Sequence, residues 1–580
     1  MAYVQISTQN CKNLALNMQE MIKIYSFDIF DTLLLRPYTD PQEVWKILEE
    51  QENCKGFAKF RKEADAKTYA TATKEDRETT IEEAYSIMPH KYQALMKKEI
   101  ELERKVLCAN PEMLEKWERA KSEGKKRILV SDMYLPQEII EDILIEKGIK
   151  GWDALYLSRT YNARKTTGKL FEIMLRKEGV KPNEVQHIGD NIHSDIKIPK
   201  SLGISTCQYE KISDQLYKAF PFTKYINQRL TGCIALGYHK YTYTKIKKNE
   251  ITSYWNNLGF IIGGIFGYMY VKWIVEVSRK KGKERILFIG RDGYILKKIC
   301  NTLYPDINTE YIYAPRIVSI ATLGAIGTDK QAVEDRKKYL KEHLTNSICD
   351  ELKTEYTEYA KNLNITESTC IVDGCSSACS AQRLLESCTR RKVFCFYMMA
   401  MSKLHNAAAL ISTEPHTVQF QNLLEFIFGA PTPPTVKVSN NHPVYETNIP
   451  PFETFKISVT DEIAEGALFC AIFLKENNIQ IHPSCWIDYT NQFMSNLTPV
   501  DKTNLLKVRN ACDIQHEKIQ SLIWTPYTLP KRKITRIGRF SIKIELPICD
   551  SLYTLIISRT HCSFTRKDIP LKRVKYLIIK

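Results

Sequence analysis

The chain has 580 residues, 44% hydrophobic and 26% charged, with a formal net charge of +16. That length exceeds what one hydrophobic core usually serves, so two or more domains are expected, and the composition excludes a disordered or fibrous chain. The positive charge is spread out and is densest at Lys531-Arg532-Lys533 with Arg536 and Arg539. It reads as a solvated face, or more sharply as a contact for an anionic polymer or membrane surface; no nucleic-acid motif accompanies it. The first residues show no basic segment followed by an apolar run, so no secretory signal is expected. The 17 cysteines form no paired CxxC array and read as reduced thiols, with the cytoplasm as the expected location.

In chain order, Ile22 to Phe27 is an apolar, β-prone run that meets Asp28-Ile29-Phe30-Asp31-Thr32, a buried strand entering a turn that carries carboxylates. Residues 41 to 124 show the apolar spacing of helices. A second strand, Arg127 to Val130, ends at Ser131-Asp132; a helix from Pro136 to Lys147 and a strand from Ala154 to Leu157 follow. Leu170 to Glu178 is helical, and Val185 to Ile188 is a strand ending in Gly189-Asp190-Asn191. Strands alternating with helices predict a mainly parallel sheet, in which reacting groups gather at the carboxyl ends of the strands. Each of these motifs sits at such an end.

Residues 208–256 read as a connector. The longest apolar stretch, Leu258 to Val271, is short for a membrane span and is expected to be a core helix, its glycines serving close packing. A second α/β pattern occupies 257–430: a strand from Arg285 to Ile289 ending in Gly290-Arg291-Asp292-Gly293, a helix near 294–303, and a strand from Glu310 to Tyr313. Further strands end at Ile371-Val372-Asp373 and run from Val393 to Met399. Beyond Pro431-Thr432-Pro433-Pro434 the texture is less regular. The alternation over 534–548 predicts a β-rich element within the C-terminal region, 431–580.

An aspartate that attacks a phosphoryl or alkyl centre gives a covalent ester for water to cleave, and the meeting of two anions calls for a hard cation such as Mg2+. FDIFDTLL (27–34), ILVSDMY (128–134), Lys165 ahead of the helix at Phe171, and HIGDNIHSD (187–195) supply such parts in order. This series resembles the motifs of the haloacid dehalogenase superfamily. The resemblance implies a Rossmannoid parallel sheet over 1–207 with an inserted helical cap at about 36–124. It implies Asp28 as nucleophile, Ser131 as a donor to the transferred phosphoryl group, and Lys165, or its rival Lys169, neutralising developing charge. It further implies Mg2+ held by Asp28, the backbone carbonyl of Phe30, Asp190 and Asp195, in a hydrolase of phosphate esters acting through an aspartyl phosphate on a small phosphorylated substrate.

One departure matters. In the family's phosphatases the residue two after the nucleophile is an aspartate serving as general acid and base, and here it is Phe30. Asp31 comes one residue too late, and either points to the opposite face of an extended segment or caps the following turn. The acid is then Asp132 or a cap residue; otherwise the domain binds a phosphorylated ligand without turnover, in a regulatory or scaffold role. A dehalogenase also lacks that aspartate but has little use for the pair Asp190 and Asp195.

The whole layout is similar to a bacterial group of such proteins encoded among surface-polysaccharide genes, through Gly290–Tyr294 and Val372–Gly374. That likeness points to sugar phosphates. Arg291, Asp292 and Asp373 stand at predicted strand ends and form a candidate second site. Their alternative roles are an ion pair between Arg291 and Asp292 and a cap by Asp373 on the helix beginning near Ser377.

Overall fold

The computed structural model describes residues 21–75, 77–327, 330–376, 378–400, 406–412, 418–511, 519–522, 533–538, 541–548, 551–558 and 562–566. Lys531, Arg532 and Arg539 of the basic cluster lie outside the described residues. The chain divides into two compact units: 1–252 with the short returns 479–481 and 487–496, and 253–478 with 482–486 and 497–580.

The first unit is built on a five-stranded sheet of β1 (Ile24–Phe27), β2 (Lys126–Ser131), β3 (Ala154–Leu157), β4 (Val185–Gly189) and β5 (Ser205–Gln208). The strands lie in the order β3-β2-β1-β4-β5, all parallel. A parallel sheet is covered by helices on both faces, and so its inner strands are apolar nearly throughout: Ile24, Phe27, Ile128, Leu129, Val130 and Val185 are fully buried. β1 lies at the centre, and the chain leaves it straight into the turn at Asp28.

From that turn the chain exits through Leu34–Leu35 and returns at Cys108–Ala109, and these two dipeptides pair antiparallel. Between them lie α1 (Glu43–Gln51), α2 (Phe57–Lys74), α3 (Ile81–Ser86) and α4 (Leu95–Val106), the helical insert. Its centre is a buried ion pair: Arg61 donates to Glu99, which also accepts from the Trp45 indole at 3.1 Å and the Tyr85 hydroxyl at 2.8 Å. Each lone pair that burial strips of water is thereby given a donor. The next helix, α5 (Pro111–Ser122), packs on β2, so the insert closes at Ala109 and not at 124. The stretch after β5 holds α6 (Ile212–Ala219) and α7 (Gln228–Lys247). It belongs to the first unit, with His239 on α7 3.1 Å from Asn110 Oδ1.

The second unit carries its own parallel sheet: β6 (Arg285–Ile289), β7 (Asn308–Ile312), β8 (Thr369–Ser376), β9 (Phe394–Ala400) and β10 (Ala407–Ser412), ordered β10-β9-β8-β6-β7. Counted from its own first strand this order is 5-4-3-1-2, so the chain switches direction between β6 and β8. A 27-residue helix, α8, spans Tyr254–Lys280 with mean hydropathy 1.6 over its most apolar window. It is long and apolar enough to cross a membrane, yet 89% of that window is buried inside the protein. The expected core helix is what stands there. Gly466, on the 26-residue helix α11 (Pro451–Glu476), permits the closest contact with it: a Cβ at that position would lie 2.0 Å from the Asn256 carbonyl oxygen.

The described residues of the C-terminal region combine α11 with strands. Strands appear at β11 (Thr435–Ser439) with β12 (His442–Tyr445), and in the four-stranded antiparallel sheet of β13 (Lys533–Gly538), β14 (Ser541–Ile548), β15 (Ser551–Ser558) and β16 (Cys562–Arg566). The alternating stretch 534–548 falls on β13 and β14. Replacing Gly466 by Ala is expected to destabilise the second unit by about 1–3 kcal/mol through overpacking. Denaturant unfolding reads this directly, and a G466A protein as stable as the parent refutes the close contact.

Candidate active site

The site forms where β1, β2 and β4 end. Asp28 is the first residue beyond β1, its amide donating to the Ile188 carbonyl at 2.8 Å, which fixes it beside the end of β4. Ser131, the last residue of β2, donates from Oγ to Asp28 Oδ1 at 3.1 Å. Lys165 Nζ donates to Asp28 Oδ1 and to Asp195 Oδ1, both at 2.6 Å. All four residues are buried. Oxygens of Asp28, Asp190 and Asp195 lie within 4.8 Å of one another.

Lys165, and not Lys169, reaches the site: Lys169 begins the next helix (Lys169–Glu178) with its side chain exposed. Asp132 holds the Lys165 loop in place, accepting from the Lys165 amide at 2.8 Å. Gly189 leaves the space that Asp195 fills, since a Cβ there would lie 2.5 Å from the Asp195 carboxyl carbon. The Asn191 amide caps that carboxylate from the other side at 3.0 Å.

Four further participants escaped the sequence reading. His187 on β4 stands between Ser26 on β1 and Asp195, with Nδ1 2.6 Å from Ser26 Oγ and Nε2 3.3 Å from Asp195 Oδ1. Burial lowers its pKa, which keeps the ring neutral. The proton then sits on Nε2 to donate to Asp195, and Nδ1 accepts from Ser26. The signal was a polar pair, Ser26 and His187, in adjacent and otherwise apolar strands. Thr32 donates to Asp190 Oδ1 at 3.2 Å, and Lys211, at the start of α6, approaches Asp190 Oδ2 at 3.1 Å. Nothing in the spacing of Lys211 announces it, because it arrives from beyond the last strand.

The cluster brings three carboxylates together with two lysines. Burial, followed by the negative fields of Asp195 and Asp190, pushes Asp28 up to about 8 in spite of Lys165. Asp195 goes the other way: burial opposes its charge, but Lys165 and the His187 hydrogen bond hold it well below the usual carboxylate range. Lys165 itself is held above its ordinary value, Asp195, Asp28 and Asp132 outweighing the cost of burial. Three carboxylates thus face Lys165 and the partly exposed Lys211. Clustered hard oxygen donors with excess negative charge suit a divalent ion of the Mg2+ kind.

Phe30 and Asp31 depart from both sequence-based alternatives. The backbone turns at Asp31, which has φ +58, so the alternation of an extended strand does not apply. Its carboxylate neither points across a strand nor caps the turn; it pairs with Arg36 Nε at 3.3 Å, and the Arg36 guanidinium lies 5.3 Å from the centre of the Phe30 ring. Asp31 and Lys211 also line a small cavity of about 20 Å³ with Arg36 and Tyr38, space for about one water molecule.

At the carboxyl ends of β6 and β8 in the second unit stands another charged group, and both expected structural pairings are absent from it. Arg291 has φ +72 and pairs with Glu453 at 2.6 Å, not with Asp292. Asp373 lies within β8 and accepts from the Gly374 amide at 3.0 Å; the following helix (Ser380–Thr389) starts after Cys379 without a side-chain cap. Asp292 lies against Gly374, one oxygen 2.8 Å from where a Cβ would stand. Burial and then Asp292 push Asp373 up to about 8, while burial and then Arg291 pull Lys456 down to about 8.

No family model matches the chain, and no curated protein matches it. Solved structures similar to it include a haloacid dehalogenase, a HAD-hydrolase and a predicted phosphatase. L-2-haloacid dehalogenase from Xanthobacter autotrophicus shares 18% identity over 32% of this chain and 77% of its own, with TM-score 0.25. A predicted phosphoglycolate phosphatase from Haemophilus somnus shares 16% over 32% and 85%, with TM-score 0.25. A Bacillus subtilis protein described as a HAD-hydrolase and bound to magnesium shares 16% over 32% and 86%, also with TM-score 0.25.

If the three carboxylates take up Mg2+, the ion stabilises the folded first unit by mass action, about 2.7 kcal/mol at a concentration a hundredfold above its dissociation constant. Thermal melts with and without Mg2+ are expected to separate for the parent and to coincide for Asp190→Asn. Gly189→Ala, by displacing Asp195, is expected to shrink the separation; parent melts that coincide refute the site.

Proposed function

We propose that the first unit is a Mg2+-dependent hydrolase of phosphate esters that works through an aspartyl phosphate on Asp28. One observation carries this reading: a buried carboxylate at the end of the central strand is hydrogen-bonded to a serine hydroxyl and an ammonium group, with the oxygens of two further carboxylates within 4.8 Å. In this mechanism Asp28 forms a bond to phosphorus as the ester P–O bond breaks. Ser131 and Lys165 hold the phosphoryl oxygens, and Lys165 offsets the charge that gathers there. Asp28, Asp190 and Asp195, with the Phe30 carbonyl, would hold Mg2+, which supplies positive charge between the two anions. Water then attacks phosphorus, the P–O bond to Asp28 breaks, and phosphate leaves.

Phe30 sets the kinetic character. Without an acid two residues after Asp28, the departing oxygen takes its proton from solvent, so esters of weakly basic leaving groups are favoured: anomeric, acyl or aryl phosphates ahead of ordinary alkyl esters. Sugar 1-phosphates are therefore the first natural substrates to try. Asp132 is a poor replacement, since one of its oxygens already holds the Lys165 amide. Water activation lacks its usual base as well, so breakdown of the aspartyl phosphate becomes the slow step. A domain that binds phosphate without turnover is the second reading, favoured by the ring of Phe30 under Arg36 where a carboxylate would be needed. Reduced thiols, as found on the cysteines whose side chains are described, go with a cytoplasmic location.

Hydrolysis of p-nitrophenyl phosphate is expected to exceed that of glucose 6-phosphate strongly, and Asp28→Asn to abolish both. Phe30→Asp should raise alkyl-ester turnover by about 10²-fold, the low end of general acid–base catalysis, and flatten the dependence on leaving group. Parent turnover that Asp28→Asn leaves intact refutes the nucleophile. Phosphate binding without any turnover, in parent and Phe30→Asp alike, supports the second reading.

A further inference from the structure

The second unit contains a cavity of about 340 Å³, within the size range of small-molecule sites, and four tyrosines line much of it: Tyr294, Tyr311, Tyr313 and Tyr445. Two lysines, Lys297 and Lys298, line it too. The cavity sits near the carboxyl ends of β6 and β7. Tyr294 opens the helix α9 of this unit (Gly293–Leu303, residues Lys297 and Lys298 one turn on), and Tyr311 and Tyr313 lie at the end of β7. In doubly wound sheets this is the side on which ligands bind.

The wall is preorganised. Tyr311 and Tyr313 meet edge to face with ring centres 5.5 Å apart, and Tyr294 meets Tyr311 at 6.3 Å. The Tyr313 backbone is held at both ends: its amide donates to the Tyr359 hydroxyl at 3.0 Å, and its carbonyl accepts from Tyr356 at 2.8 Å. The Tyr311 hydroxyl accepts from the Arg291 amide at 2.6 Å, which ties the cavity wall to the loop that carries Asp292. Rings fixed this way lose little further entropy when a ligand binds.

The lysines fix the sign of the ligand. Lys297 makes no ion pair among the described residues. Lys298 lies 4.5 Å from the Tyr294 ring centre and is no closer than 3.9 Å to Asp461. Two ammonium groups weakly matched by carboxylates, beside rings that stack on flat or pyranose faces, suit an anion attached to a ring.

We propose that this cavity binds a ring-bearing organic phosphate, its ring on the tyrosines and its phosphate at Lys297 and Lys298, as a second ligand site separate from the first unit's carboxylates. Nucleotides and sugar phosphates share that chemistry. Calorimetric titration of the full chain with UDP, ADP, glucose 1-phosphate and glucose 6-phosphate distinguishes the two sources. At least one ligand is expected to bind, and the double variant K297E/K298E to weaken it by about tenfold or more, the scale of a lost charge-assisted contact. Tyr294→Ala is expected to weaken it as well, whereas Asp190→Asn in the first unit leaves it unchanged. Circular dichroism of each variant, matching the parent, confirms that the change is local. Binding that Asp190→Asn removes and the lysine changes leave intact, binding only of unphosphorylated sugar or peptide, or no binding of any of the four at millimolar concentration overturns the proposal.

Discussion

Lys165 is a single ammonium group buried among carboxylates, donating to Asp28 and Asp195 at equal distance. Two buried carboxylates placed side by side repel strongly in a medium of low dielectric, and removing either from water costs several kcal/mol. The shared ammonium is what lets both occupy one site. Much else in the first unit serves that arrangement. Asp132 fixes the loop that delivers Lys165, Gly189 leaves room for Asp195, Asn191 binds its second oxygen, and His187 ties it back to Ser26 on the central strand. Three of the five strands of the sheet therefore act together on one carboxylate pair.

The same electrostatics divides the two carboxylates by role. Asp195 receives Lys165, His187 and a backbone amide and stays charged, a fixed negative post. Asp28 shares only Lys165 and Ser131 and sits near two other negative groups, so its charge is the less stabilised of the two. The proposed nucleophilic role needs that condition. A carboxylate locked in hydrogen bonds is stable and inert, whereas one that is poorly compensated gains when a cation or a phosphorus centre arrives.

The site was legible to different degrees. Asp28, Ser131 and Asp190 end or follow strands whose apolar runs are visible in the sequence, and the resemblance to the family's motifs added Asp195, which lies in the helical turn Ile192–Lys197. Lys165 and Lys169 could not be told apart by spacing, since both stand a few residues ahead of Phe171; burial decides between them. Lys211 was invisible because its approach to Asp190 depends on how α6 follows β5. Asp31 was misread because the segment after β1 is not extended at that position: the backbone goes left-handed there, which an aspartate tolerates better than most residues. In the second unit the expected pairing of Arg291 with Asp292, neighbours in sequence, gave way to Glu453, 162 residues later and supplied by α11. The extent of the first unit was obscured by composition: the tyrosine- and lysine-rich stretch after β5 looks like a linker, yet α7 buries Cys233, Ile234, Leu236 and Tyr241.

Both units place their charged groups at the carboxyl ends of parallel strands, but they manage that charge differently. In the first, carboxylates converge until their oxygens come within 4.8 Å, a spacing one small cation can bridge. In the second, Asp292 and Asp373 stand at the switch between β6 and β8 with Glu453 and Glu425, four carboxylates beside the two cations Arg291 and Lys456. The ion pair of Arg291 with Glu453 holds that loop rigid. That rigidity reaches the tyrosine wall through the bond from the Arg291 amide to Tyr311. The parallel architecture thus places two acid-rich groups near strand ends: one whose oxygens converge closely enough for a single cation to bridge, and one whose loop is tied to a cavity wall.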